Sequence, residues 1–159
     1  MRFIPTLFYI LLLLIVACNS PEKQTTEQSV VPENTEDATG CYMQVLKRDT
    51  FAIKIEQSDN NISGKLMFDN YEKDGSTGTV HGTIEGNILK LWYNFASEGM
   101  NSVMEIYFKK EGQTLLRGIG NIASKDDSTY YSDPASIKYH ADQTLSRTSC
   151  ETIAIGIFR

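Results

Sequence analysis

Three cysteines, two histidines and 20 acidic side chains are the groups of this 159-residue chain that can do chemistry. Glu72 and Asp74, with Lys73 between them, and Glu98 fall in two short polar clusters, residues 72–74 and 97–102. Paired carboxylates about 5–10 Å apart do the acid–base work of glycoside hydrolysis. Separation along a chain gives no distance through space, however, and among 20 acids chance groupings are common. Ser97, Ser102, His81 and His140 show no ordering of nucleophile, base and orienting acid. There is no Gly-x-Ser-x-Gly, no His-Glu-x-x-His and no phosphate-cradling glycine loop. Cys41 and Cys150 with the two histidines have no metal-ligand spacing. The expectation is therefore a protein that is not an enzyme and carries neither cofactor nor metal. Glu72, Lys73, Asp74 and Glu98 are candidates for ligand or partner contacts, because binding residues concentrate on loops held by rigid scaffolds. The alternative is solvated turns in which Gly75 and Gly99 supply positive φ.

Cys18 has a different setting. A basic start at Arg2 and an unbroken apolar run over residues 7–17 make a secretory signal. A membrane-spanning helix needs roughly 20 apolar residues, and this run meets Asn19 and Ser20 too soon. The last four residues, Ile15-Val16-Ala17-Cys18, resemble the bacterial lipobox: aliphatic, variable, small, cysteine. The resemblance implies cleavage before Cys18, diacylglycerol on its sulfur and acylation of the new amine; the alternative is an ordinary secretory signal with a chance cysteine. Each buried methylene adds about 0.8 kcal/mol, so two or three chains hold stably where one holds marginally. Asn19, rather than an aspartate, follows the cysteine, and by analogy this favours the outer membrane, on its periplasmic face or at the cell surface.

Removing residues 1–17 takes away one base and no acid, leaving the processed chain one unit more negative than the full chain's −5. No basic run exceeds two residues, which argues against nucleic acid as a partner. With Cys18 assigned to lipid, Cys41 and Cys150 remain, both outside the cytoplasm where disulfides persist. They bracket the region that looks folded. The reading is a disulfide; the alternative is a pair of buried free thiols.

Residues 18–39 form the lipidated cysteine and a flexible acidic linker. Beyond Val30 and Val31 they hold almost no large apolar side chain, so ordering them gains too little burial to offset the entropy lost. From residue 40 to 159 the texture changes to short alternating runs. Phe51, Ile53 and Ile55 face one way, Lys54 and Glu56 the other. Ile62, Leu66 and Phe68, then Val80 and Ile84, then Leu89, Leu91, Tyr93 and Phe95, then Met104, Ile106 and Phe108 repeat the pattern. Turn residues recur at 58–61, 85–87 and 111–113, and residues 114–121 form another candidate strand. Period-two alternation with frequent turns marks an all-β fold. Successive hairpins must manage their edges, and closure removes them. The prediction is a small antiparallel meander closed as a lipocalin-like barrel of about eight strands, with a β-sandwich as the alternative.

Gly40-Cys41-Tyr42, Gly64-Lys65-Leu66, Glu72-Lys73-Asp74-Gly75, Gly78-Thr79, Gly82-Thr83-Ile84, Ser97-Glu98-Gly99, Phe108-Lys109-Lys110 and Gly118 resemble a group of small uncharacterised bacterial lipoproteins. The resemblance spans roughly residues 40–150 and implies a lipocalin-like barrel, with no activity attached. That group tends to carry an arginine where this chain has Met104, so a pair between it and an acid such as Glu98 is missing here.

Three questions are left to the fold. Phe51, Phe68, Leu91, Tyr93, Phe95, Met104, Ile106 and Phe108 either line a cavity or fill the barrel, and so many large residues favour filling. Trp92 lies on the opposite face, where residues 122–139, the least regular stretch, cover it or leave it as a contact residue. Ile153, Ile155 and Ile157 alternate as a last edge strand would. The functional expectation is an envelope lipoprotein that binds an apolar small molecule or an envelope component. The alternative is a protein-interaction or inhibitor module acting on a cell-wall enzyme.

Overall fold

The computed structural model describes residues 35–72, 75–97 and 100–156. Its strands are β1 (Gly40–Leu46), β2 (Asp49–Ser58), β3 (Asn61–Asp69), β4 (Ser76–Glu85), β5 (Ile88–Ser97), β6 (Met100–Glu111), β7 (Thr114–Ile119), β8 (Ile122–Lys125), β9 (Ser128–Tyr131) and β10 (Lys138–Thr148). One short helix, α1 (Cys150–Gly156), follows. Neighbours from β1 to β7 pair antiparallel, β7 pairs with β10, and β10 returns to β1, so eight strands close into a barrel. The fold is the all-β, lipocalin-like barrel expected from the alternation. On β2, Ile53 and Ile55 are buried while Lys54 and Glu56 are exposed. Tight turns carry left-handed residues at Lys47, Asp59, Gly86 and Gly112, which match the twist of paired strands.

β8 and β9 form a hairpin inserted between β7 and β10. β7 follows β6 only from Phe108 to Glu111, leaving the first part of β6 with an open edge. β9 takes that edge in parallel, pairing Ser128 with Val103 and Thr129 with Met104. Strands this short carry too few alternations to be read from the chain.

Ile153 corrects a second expectation. The tail is not an edge strand: α1 runs from Cys150, and Ile153 is fully buried against Cys41, Ala52 and Met67 on the outer wall. A barrel closed by the β1–β10 pairing offers no edge for another strand. Ser149 Oγ accepts from Glu151 N at 3.2 Å, capping the helix start. Cys41 and Cys150 form the expected disulfide, with Cα atoms 5.2 Å apart, fastening α1 to β1.

The barrel has two unlike ends. At one end the segment just before β1 folds across the opening. Glu36 N donates to Gly86 O at 3.1 Å, Ala38 N donates to Gln57 Oε1 at 2.8 Å, and Tyr42 Oη donates to Ala38 O at 3.1 Å. Ala38 is fully buried in the core. Residues 35–39, read from composition as the end of the linker, thus plug the barrel with one methyl group and their own backbone. Above the plug, Tyr42, Ile53, Leu66, Leu91, Ile106, Phe108 and Leu115 fill the interior. Gly64 and Gly82 lie at inward positions where a Cβ would fall about 2 Å from the carbonyl oxygens of Lys54 and Lys90, so glycine is required where the wall turns most tightly.

Burial raises the phenols of Tyr42, Tyr93 and Tyr131 above the ordinary value of 10.0. A proton held more tightly in the folded state stabilises fully below the unfolded pKa, and that stabilisation is lost as pH rises through the raised folded values. The melting temperature should therefore fall steeply only above about pH 10, with tyrosinate absorbance rising together with loss of the β-sheet circular dichroism. Ionisation of every tyrosine, the buried ones included, without any loss of β signal would show that these phenols titrate from solvent-exposed positions.

Candidate functional site

The other end of the barrel has, among the described residues, no segment that plugs it as residues 35–39 plug the first. By strand direction it carries the β1–β2 turn, the β3–β4 connection and the β5–β6 connection, flanked by Leu46 and Asp49, Asp69 and Ser76, and Ser97 and Met100. The described members of the two polar clusters, Glu72 in one and Ser97 and Met100 in the other, therefore belong to the same end. The filled interior expected from the count of large side chains holds only for the plugged half. At the open end lies a pocket of about 340 Å³ lined by Phe51, Phe68, Phe95, Met104 and Arg117, with Asn70 and Ser76. A barrel of eight strands is just wide enough for one small ligand where its side chains leave room.

The pocket wall is a chain of aromatic contacts. Phe51 meets Phe68 edge-on at 5.2 Å, Phe68 meets Tyr93 edge-on at 5.7 Å, and Tyr93 stacks on Phe95 at 4.7 Å. Tyr93 Oη donates to Ser76 Oγ at 3.1 Å, which turns its polar tip away from the rings. These residues all come from inward positions of β2 to β5, as the alternation required.

Arg117 is the charged member, and the sequence reading overlooked it. It lies on β7 in register with Phe108, hence on the inward face. Its guanidinium carbon sits 4.9 Å from the centre of the Phe68 ring. Its Nε is buried with no hydrogen-bond partner. Burial pulls its pKa below the ordinary arginine value. Among the described residues no carboxylate pairs with it. The pocket thus offers aromatic walls, the polar side chains of Asn70 and Ser76, and one half-buried cation whose Nε has no partner.

The sequence-chosen residues are placed as follows. Glu72 is exposed on the β3–β4 connection and lines a separate surface depression with Lys47, Arg48, Asp49, Asn70 and Tyr71. Arg48 stacks on the Tyr71 ring, 3.0 Å from its centre, and Tyr71 N donates to Asp49 Oδ1 at 2.9 Å. Lys73, Asp74 and Glu98 lie outside the described residues, as does Cys18. Trp92 is half-buried on the outer wall, in register between His81 and Glu105, away from the pocket. Lys90 Nζ stands 5.7 Å from the centre of its ring. Compared with protein-family models, curated proteins and solved structures, the chain matches none.

Proposed function

We propose that this chain is a non-enzymatic envelope lipoprotein whose barrel binds an apolar small molecule in its open half. The half-filled barrel carries the reading: one end is sealed by Ala38 and a dense core, while the other keeps an aromatic pocket of about 340 Å³. That volume falls at the small end of ligand sites, roughly 300–1,000 Å³. The lipobox-like Ile15-Val16-Ala17-Cys18 supports a lipid anchor that holds this pocket near a membrane. Exposed Val45, Leu46, Tyr71 and Met100 surround the open end and give an apolar ligand a favourable approach.

The test uses the processed protein and the neutral fluorescent probe phenylnaphthylamine. Its emission should rise on binding the native chain and fail to rise with Met104→Trp, which fills the pocket. In cells, Cys18→Ser should move the protein from the membrane to the soluble fraction. A native protein that leaves the probe in water would end the ligand-binding reading, and a Cys18→Ser variant still in the membrane would end the anchor.

The same exposed rim supports a second reading, an interaction module for an envelope protein such as a cell-wall enzyme. A pull-down partner lost on Tyr71→Ser but kept by Met104→Trp would favour it over the pocket.

A further inference from the structure

We propose that the ligand of the barrel pocket is an amphipathic anion, a carboxylate on a compact apolar body, whose charge pairs with Arg117. This rests on the reading that the pocket is a ligand site. Arg117 brings five N–H donors in a fixed fork that matches a carboxylate. Its Nε is buried and without a hydrogen-bond partner, and its guanidinium lies over the face of Phe68. A half-buried guanidinium without a counter-charge carries a desolvation cost, and an entering carboxylate offsets that cost with charge-assisted hydrogen bonds. Apart from Asn70 and Ser76, the remaining walls, Phe51, Phe68, Phe95 and Met104, are apolar, so the body of the ligand is mainly apolar. The chain as a whole is acidic. The attraction is therefore local to Arg117, and a buried pair is little screened by salt.

The same side chain makes a separable statement about stability. A residue whose charge serves only an absent ligand destabilises the empty protein, and replacing it stabilises the fold. Arg117→Met keeps the length and apolar stem, so the empty variant should melt at a higher temperature than the native protein.

Titration calorimetry on the processed protein with decanoate, decanol and inorganic phosphate tests the pairing. Decanoate should bind the native chain and lose about ten- to a hundred-fold in affinity with Arg117→Met, as expected for a lost charged hydrogen-bonded pair. Arg117→Lys should retain part of the affinity. Decanol binding should change by no more than about two-fold, and phosphate alone should not bind. Equal binding of decanoate and decanol, or decanoate binding unchanged in Arg117→Met, would overturn the anion assignment while leaving the apolar pocket intact. Phosphate binding as strong as decanoate's would overturn the role of the apolar body. If neither decanoate nor decanol binds the native chain, the pocket reading beneath it fails as well. An Arg117→Met variant that melts lower would show a structural arginine and overturn the assignment.

Discussion

Reducing the Cys41–Cys150 disulfide should lower the unfolding free energy of the barrel by about 4–5 kcal/mol, the chain-entropy value for so long a loop. The bridge spans 109 residues and encloses every strand after the start of β1. Its loss frees the unfolded chain to expand, and this raises the entropy that folding must overcome. A local effect accompanies the global one. α1 is seven residues long, too short to hold its own turns in water. It rests on the barrel through Ile153, which is fully buried beside Cys41 and Ala52. After reduction the helix should detach first, opening the 150–156 segment to protease at denaturant concentrations where the strands persist. Urea titrations with and without reductant, read by circular dichroism, give the global figure, and limited proteolysis gives the local one. A midpoint that does not move on reduction would show that the unfolded chain keeps the two ends together without the bond.

Glu105→Ala should cost about 2–4 kcal/mol, because it leaves buried donors without an acceptor. Glu105 faces outward from β6 yet is only 5% exposed. It accepts from Tyr131 N at 2.9 Å, is 3.4 Å from the Tyr107 hydroxyl, and pairs with Lys90 Nζ at 3.2 Å. Hydrogen bonding to this carboxylate is the main reason the Lys90 ammonium titrates above its ordinary value. Lys90 itself is nearly half exposed, and water can replace its partner at little cost. The backbone N–H of Tyr131 has no such recourse. It belongs to β9, which is otherwise held to β6 by the short parallel pairing at Val103 and Met104 and the Tyr107–Tyr131 ring contact, and to β7 by the bond from Tyr131 Oη to Gly118 O at 2.7 Å. Glu105→Gln keeps an acceptor for Tyr131 and should lose less than Glu105→Ala. Hydrogen exchange should show the loss concentrated in β8 and β9. Because β9 pairs with Met104, which lines the pocket, Glu105→Ala should also weaken ligand binding. Uniform exchange across the barrel in Glu105→Ala would show that the carboxylate serves the whole sheet and not the hairpin.

Arg117 was within reach of the sequence. The Glu111-Gly112-Gln113 turn sets the register of β6 against β7, and Phe108 was already read as inward. With Glu111 opposite Thr114, Arg117 falls opposite Phe108, so a charge on the inward face follows from counting. It was overlooked because residues 114–121 were read as a strand without a facing. The clusters around Glu72 and Glu98 drew attention instead, since polar loops advertise themselves and one buried cation does not. Trp92 was correctly seen on the face opposite the inward set, and the reason for that wall's burial, Glu105 beneath β9, required the fold.

Alternation along the chain was enough to predict β2 to β6 and their inward residues, because side-chain direction in a strand depends only on parity, and closure was expected from the need to cover the edges. The cysteines' positions likewise pointed to the bond that fastens the end of the domain to its start. What composition could not reveal was how far the interior is filled. That depends on which large side chains share a level of the barrel, and register across eight strands decides it. Nor could local pattern show that residues 35–39 plug one end, that 150–156 coil into a helix, or that β9 repairs the open edge of β6. Each is a response to a surface that exists only once the barrel has closed.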